Sequence, residues 1–391
     1  MINSNQDGNQ KTMKVLFITL HDPYNLDLAS GSDYHYLKAV QNNCFEAKVI
    51  GPFTSPPVWI ERNLTRLFQR SGKRFLKHSL TTAWVASKVT NEAAREWEPD
   101  ILFTHYPSPL IFYHAGIPCV YRVDTTFYGA EKEYPRYGKF ALWLEICQEK
   151  LAFRYTARVI THSAWSSKIL SDYYKVPENR IIVYPEVSAL PAHIVPKEIN
   201  IQEWKSLEKP LRLLLVGRDY RRKGIDIAIE VVHRLNAAGI PTELTVCGVQ
   251  GQADEFVTFV GPFKKSIPEQ LDQYVSLYRQ AHLLIHPALF EPAGIVPGEA
   301  AAFGTPTITN NAGGLSTTVL DGESGIVLPK WSPPETYVNA ITELVRNPER
   351  YYTLCQKARE RFERELNWGV VDKRFGEILR QVVEEHQSAR G

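Results

Sequence analysis

The chain makes the same start twice. Lys14 to Leu20 (KVLFITL) and Leu211 to Gly217 (LRLLLVG) are short apolar runs, each followed by a loop and then a stretch of helical character. Such a run, bounded by polar residues, is the pattern of a parallel strand buried on both faces. Strand-like runs follow the first start at 47–51, 100–104, 118–123, 158–162 and 180–184, and the second at 243–247, 256–260, 283–286, 306–309 and 325–328. Helical stretches, 34–40 and 225–238 among them, alternate with several of these runs, so each half reads as a β-α-β series with a parallel sheet. A chain of 391 residues exceeds a single core, and two domains of about 150–200 residues are expected. The divisions read as a disordered polar tail over 1–12, a first domain over 13–190, a linker over 191–210 containing Pro191, Pro196 and Pro210, and a second domain over 211–367. Two such domains leave a cleft between them, and ligands of these sheets bind outside the carboxyl ends of the strands.

The most informative loop follows 283–286. It reads FEPAGIVPGEAAAFG, from Phe290 to Gly304, with Glu291 and Glu299 eight positions apart. Pro and Gly ahead of an Ala-rich run mark a loop entering a helix. A helix N-terminus exposes N–H groups and partial positive charge that suit a phosphate. Ionised carboxylates on either side accept hydrogen bonds from sugar hydroxyls. One loop thus has the groups to hold both ends of a sugar–diphosphate–nucleoside. The alternative is that Glu299 only complements a helix dipole and Glu291 is solvated. The loop after 211–217, RDYRRKG, places Arg218, Arg221, Arg222 and Lys223 at a strand end between Gly217 and Gly224. Arginine–phosphate contacts are charge-assisted and strong; a solvated basic turn is the other reading. Neither a Walker A nor a G-x-G-x-x-G sequence is present, which argues against ATPase or nicotinamide chemistry.

In the first half, Gly31 stands at the first strand-to-helix crossing, and His105 and Asp124 fall at strand ends. Each is a site candidate, or else a turn residue. From Trp59 to Leu80 the chain is basic and amphipathic: Arg62, Arg66, Arg70, Lys73, Arg74 and Lys77 oppose Glu61 alone. Such a segment suits an anionic membrane surface or a polyanionic acceptor, or covers its own domain with a solvated face. A net charge of +2 and the lack of zinc-finger or RNP-type motifs argue against nucleic acid. The five cysteines are scattered without metal-knuckle spacing, the pattern of buried thiols in a reducing compartment. No signal-like stretch or membrane-length apolar run is present. A cytoplasmic protein is expected, with peripheral contact at the inner face of a membrane through 59–80.

With these motifs placed, the chain resembles family 4 of the glycosyltransferases, the retaining family with the GT-B fold of two Rossmann-like β/α/β domains facing each other across a cleft. The likeness runs from about Met13 onward and is strongest over 211–328. It rests on Val216-Gly-Arg…Lys223-Gly, Phe259-Val-Gly261, the Glu291-x7-Glu299 pair, Gly304-Thr-Pro306, Ala312-Gly-Gly-Leu315 and Asp321-Gly-Glu-Ser-Gly325, in the family's order and spacing. The resemblance implies that Arg218 and Lys223 bind the donor diphosphate and Glu291 the donor sugar. It implies that Gly294, Ile295 and Val296 meet the sugar and phosphate through backbone. Gly31 and Gly217 lie close to the donor, Glu299 holds the ribose, and Val260, Gly261, Pro262 and Phe263 lie by the base. Asp124 joins the catalytic set. His105, Asp124 and Tyr128 are the acceptor-side candidates, Tyr128 lying in an aromatic-rich stretch whose rings suit sugars. A C-terminal helix, about 368–391, is expected to cross back onto the first domain.

There are departures. Where the family often ends its fifth strand with His, this chain has Arg122-Val-Asp124. Its usual Pro-Asn-Gly-Val-Asp is replaced by Pro185-Glu-Val-Ser188, the Glu after Gly-Gly-Leu by Ser-Thr-Thr318, and the Phe before Gly294 by Ala293. These touch the donor-sugar and acceptor sides and imply altered specificity.

No Asp-x-Asp pair occurs, so the metal that such a pair holds on a diphosphate is not expected, nor any other cofactor. Arg218 and Lys223 would do that electrostatic work. The expected activity is retaining transfer of a sugar from a nucleotide sugar, UDP ahead of GDP, to a glycan, lipid-linked or small-molecule hydroxyl, forming an α-linkage that serves cell-surface glycan or glycolipid synthesis. Attack on the leaving-group face is expected, because no carboxylate stands out as a nucleophile. The alternatives are a same-fold epimerase or phosphorylase, or a non-catalytic nucleotide-sugar-binding protein.

Overall fold

The computed structural model describes residues 12–53, 80–207 and 210–391, and in it the two halves form two six-stranded parallel sheets. In the first, β1 (Lys14–Ile18), β2 (Glu46–Ile50), β3 (Ile101–Thr104), β4 (Cys119–Arg122), β5 (Arg158–Thr161) and β6 (Ile181–Val183) lie in the order β2-β1-β3-β4-β5-β6. In the second, β7 (Leu211–Val216), β8 (Thr242–Cys247), β9 (Val257–Val260), β10 (Leu283–His286), β11 (Thr307–Asn310) and β12 (Gly325–Leu328) lie in the order β12-β11-β10-β7-β8-β9. Each predicted run coincides with a strand to within two residues. The basic stretch 59–79 and the tail 1–11 lie outside the described residues.

Burial explains the strands. Val15, Leu16, Phe17 and Ile18 of β1 are all 1% exposed or less, and each fully buried side chain of this kind contributes about 1.5–3 kcal/mol. A parallel strand covered on both faces has no use for polar alternation. The strand orders also fix where ligands bind. The second sheet runs outward from β7 to β9, then returns to place β10 on the other side of β7. That reversal leaves a crevice at the carboxyl ends of β7 and β10. The first sheet reverses likewise between β1 and β3.

The last helix, Trp368–Ser388, starts on Asn367, whose side chain accepts the Val370 N–H. Its apolar residues recur at helical spacing, and Val371, Phe375 and Leu379 pack with Val15, Phe17 and Phe103 of the first sheet. The halves meet around the cleft through Ser266 Oγ on Asp27 (2.5 Å), Arg136 on Asp219 (3.4 Å), a Lys330–Glu133 ion pair, and the Ala164 N–H on Thr317 Oγ1 (3.1 Å). Thr317, one of the departures from the family pattern, therefore joins the two domains. Among the described residues no helix is long and apolar enough to cross a membrane.

Candidate functional site

The loops after β7 and β10 meet at the reversal point and, with the loop after β1, enclose a cavity of about 340 Å³. The β7 loop is a tight turn: the Asp219 carboxylate accepts the Arg222 N–H at 3.0 Å, and the Asp219 carbonyl accepts that of Lys223 at 3.1 Å. Two glycines make it possible. At Gly217 a Cβ would stand 2.5 Å from Lys223 Cγ, so the lysine stem crosses the strand end only because that atom is missing. Gly224 has φ +66° with the Pro287 carbonyl where a Cβ would be, a conformation that favours glycine.

Lys223 and Arg222 converge on one oxygen. Glu291 Oε2 accepts from Lys223 Nζ at 2.5 Å and from Arg222 Nη1 at 2.8 Å, with His286 Nε2 3.8 Å away. Burial alone would raise the Glu291 carboxyl, but Lys223, then His286 and Arg222, outweigh it and hold it well below the usual carboxylate range. Glu291 is therefore an anion that keeps its second oxygen for other donors. Arg218 is exposed at the cavity wall, and no ion pair engages it among the described residues.

Glu299 sits at the other end, with no exposed surface. Its carboxylate accepts from Lys265 Nζ (2.5 Å), Tyr274 OH (2.5 Å) and Tyr278 OH (2.7 Å). It is neither a solvated carboxylate nor a simple dipole partner. Tyr274 and Tyr278 lie one turn apart on the helix Pro268–Gln280, so their hydroxyls share a face. That i,i+4 pair was the available sequence signal for these residues; Lys265 carried none. The helix after Gly294 is Ile295–Ala301, and residues 294–296 line the cavity.

From the first domain the wall receives Asp124 and Glu186. Both lean on Arg122, whose Nη2 donates to Asp124 at 2.7 Å and Glu186 at 2.5 Å, while its Nε donates to His162 Nε2 at 2.6 Å. Asp124, His162 and Glu186 form the one group of metal-ligand type among the described residues, with ligand atoms within 4.8 Å of one another. The guanidinium already occupies all three, a poor fit for a cation. Burial pushes the Glu186 carboxyl up to about 7: one guanidinium cannot fully compensate two carboxylates, and the more buried gives way. With its folded pKa raised, Glu186 holds more protons folded than unfolded between about 4.5 and 7, so stability from this group is lost as pH rises through that window. Glu186→Gln is expected to remove that part of the slope in thermal midpoints measured from pH 5 to 8. An unchanged slope would place the titration elsewhere.

The cavity thus brings together Asp124, Gly217, Arg218, Lys223, Pro262, Phe263, Glu291, Gly294, Ile295, Val296 and Glu299. Gly31 lies just outside, although its neighbours Leu26, Asp27 and Ser30 line the wall, and Val260 and Gly261 stop short of it. Two acceptor-side candidates do not reach it. The His105 side chain is only 6% exposed and is paired with Asp33 at 2.6 Å among Phe17, Tyr36 and Phe103. Tyr128 stacks on Tyr173 with centroids 3.6 Å apart. Both strand-end and aromatic signals were satisfied by packing. Cys247, Gly248 and Lys265 line the cavity without having been expected, and Glu186, noted only as a departure from the family pattern, lines it too.

Two Rossmann-like sheets facing each other across a cleft of this kind make the GT-B fold. The family models for Glycosyltransferase Family 4 and for Glycosyl transferases group 1 match residues 34–186 and 196–361. The chain belongs to glycosyltransferase family 4. The glycogen synthase of Mycobacterium tuberculosis is 24% identical over 301 residues, 71% of this chain and 67% of that protein. The D-inositol 3-phosphate glycosyltransferase of Corynebacterium kroppenstedtii is 24% identical over 61% of this chain and 56% of its own length. The chain thus spans between half and about two thirds of these relatives. Among solved structures, sucrose-phosphate synthase from Thermosynechococcus elongatus superposes with a TM-score of 0.68 at 18% identity, over 95% of this chain and all of that one. Anabaena HepE in complex with UDP-glucose gives 0.64 at 16% identity, over 94% and 100%.

Proposed function

We propose that this glycosyltransferase moves a sugar from a nucleoside-diphosphate sugar, UDP ahead of GDP, to an acceptor hydroxyl with retention, forming an α-linkage without a metal. The observation that carries the reading is the convergence of Arg218, Arg222 and Lys223 with Glu291 at the reversal point of the second sheet. An ammonium has three donors. Lys223 gives one to Glu291 and keeps two for phosphate oxygens, while Arg218 adds its fork from the rim. Positive charge held in place before reaction stabilises the diphosphate as the glycosidic bond breaks, the work a divalent cation does elsewhere. Glu291, kept ionised, accepts from the sugar's hydroxyls through its second oxygen. Glu299, with Lys265 beside it, faces the ribose end, and Pro262 and Phe263 lie by the base. UDP is preferred because the similar fold of HepE holds UDP-glucose.

Retention follows from attack on the face the leaving group departs from. The carboxylates on the first-domain wall, Asp124 and Glu186, are both tied to Arg122, which weakens either as a nucleophile and leaves the departing phosphate oxygen to take the acceptor proton. Closure of the two domains keeps water from the donor.

The test is calorimetry and thermal shift with UDP, GDP and their sugars, with and without chelator, beside an Arg218→Ala/Lys223→Ala protein. Stabilisation by one diphosphate, insensitive to chelator and lost in the double variant, is expected. Stabilisation that needs a divalent ion would overturn metal independence, and none at all would overturn the function.

A further inference from the structure

A second cavity lies behind Glu291. It encloses about 300 Å³ between the helix Phe127–Glu133 with its following loop and the loop after β10, and it shares Arg222, Glu291 and Pro292 with the donor cavity. Glu291 stands in the common wall. Asp124 lines one side, and its neighbour Thr125 lines the other.

The second cavity is rigidly built. Thr126 caps the helix by accepting the Gly129 N–H at 3.2 Å, and both Glu149 oxygens accept the Phe127 N–H at 3.0 Å. The Glu131 carboxylate folds the loop back by accepting the N–H groups of Arg136 (2.7 Å) and Tyr137 (3.1 Å). The Tyr137 ring then meets Phe127 edge-on, with centroids 5.5 Å apart. Tyr134 and Phe290 complete an aromatic lining.

Charge decides what fits. Arg222 is paired with Glu291 and Asp219, and Arg136 with Asp219 while lying 4.6 Å over the Tyr134 ring. The cavity wall thus carries two carboxylates, Glu131 and Glu291, against two guanidiniums, Arg136 and Arg222, with Asp219 and Lys223 offsetting each other beside it. A phosphorylated or carboxylated ligand would add an unbalanced negative charge next to Glu131 and Glu291, whereas a neutral one leaves the balance and the pairs whole. A small aromatic pocket with a few fixed polar groups suits one small ring: its volume lies at the lower end of the usual 300–1,000 Å³ for ligand sites.

We propose that this cavity is the acceptor subsite and that it takes one uncharged sugar ring, its apolar face on the aromatic lining and one hydroxyl reaching past Glu291 to the donor. The proposal rests on the transferase reading above. The experiment offers methyl hexosides and the matching hexose 6-phosphates as acceptors, with UDP-glucose or whichever nucleotide sugar stabilises the protein more. Transfer to a neutral hexoside is expected. Tyr134→Ala should raise its KM about tenfold, equivalent to 1.4 kcal/mol, while KM for the nucleotide sugar moves less than about twofold; Tyr134→Phe, which keeps the ring, should restore it. Preference for the 6-phosphates, an acceptor KM indifferent to Tyr134→Ala, or no transfer to neutral hexosides despite intact nucleotide binding would overturn the subsite and leave the donor reading standing. Loss of nucleotide binding in the unaltered protein would overturn both.

Discussion

Lys223→Ala is expected to lower kcat for transfer by about 10²–10³-fold, the range for removing one preorganised donor from a developing oxyanion. The ammonium is fixed by the crossing over Gly217 and by Glu291 at 2.5 Å, so it needs no rearrangement when charge appears on the departing diphosphate. An interaction of that kind is worth more in the transition state than with bound donor, and its loss falls on kcat rather than on KM alone. Arg218 is exposed at the rim, and Arg218→Ala should raise KM for the nucleotide sugar more than it lowers kcat. The fold tolerates the lysine's removal, because Arg222 still neutralises Glu291 at 2.8 Å. Steady-state kinetics with a thermal melt of each variant separates these effects. A Lys223→Ala enzyme with unchanged kcat and a raised donor KM would make Lys223 a ground-state anchor.

The strands and the donor loops were legible because their signals are local. Short apolar runs bounded by polar residues and alternating with helical stretches are the pattern of buried parallel strands, and Gly217, Gly224 and Gly294 mark backbone that a side chain would obstruct. The partners of each functional group were not legible in the same way. Glu299 meets Lys265, Tyr274 and Tyr278 through folding that brings a loop and a helix over it. Glu186 reads in sequence as a missing Asn-Gly, and only the structure shows it sharing Arg122 with Asp124. His105 lies apart from the donor cavity for a related reason. A strand end is where cleft residues start, but this ring packs among Phe17, Tyr36 and Phe103 and pairs with Asp33. Of the aromatic stretch after Asp124, Phe127, Tyr134 and Tyr137 line the second cavity while Tyr128 stacks on Tyr173 away from it, a choice that composition cannot make.

Lys205→Met is expected to destabilise the protein by about 2–4 kcal/mol, although Lys205 touches no part of either cavity. Its side chain is fully buried. The ammonium donates to the carbonyls of Tyr278 (2.8 Å), Arg279 (3.2 Å) and Ala281 (2.8 Å) and to Thr305 Oγ1 (2.7 Å). The helix Pro268–Gln280 ends here, and its last carbonyls have no partner within the helix. A cation at that end also complements the helix dipole. Methionine keeps most of the stem's volume but takes a donor from the Arg279 and Ala281 carbonyls, a buried acceptor costing about 1–3 kcal/mol when unpaired, while the Tyr278 carbonyl still accepts from Thr305 Oγ1 at 3.0 Å. Removing the ammonium also removes the cost of burying it, so the net loss is smaller than the sum. At about 2–4 °C per kcal/mol for a domain of this size, the melting midpoint should fall by roughly 5–15 °C. The consequence reaches the donor site, because the same helix carries Tyr274 and Tyr278 to Glu299. A frayed C-terminal turn loosens Tyr278 first, so nucleotide affinity should fall with stability in Lys205→Met. A midpoint that holds or rises would mean that the apolar replacement offsets the lost hydrogen bonds, and that Glu299 is positioned without help from this end of the helix.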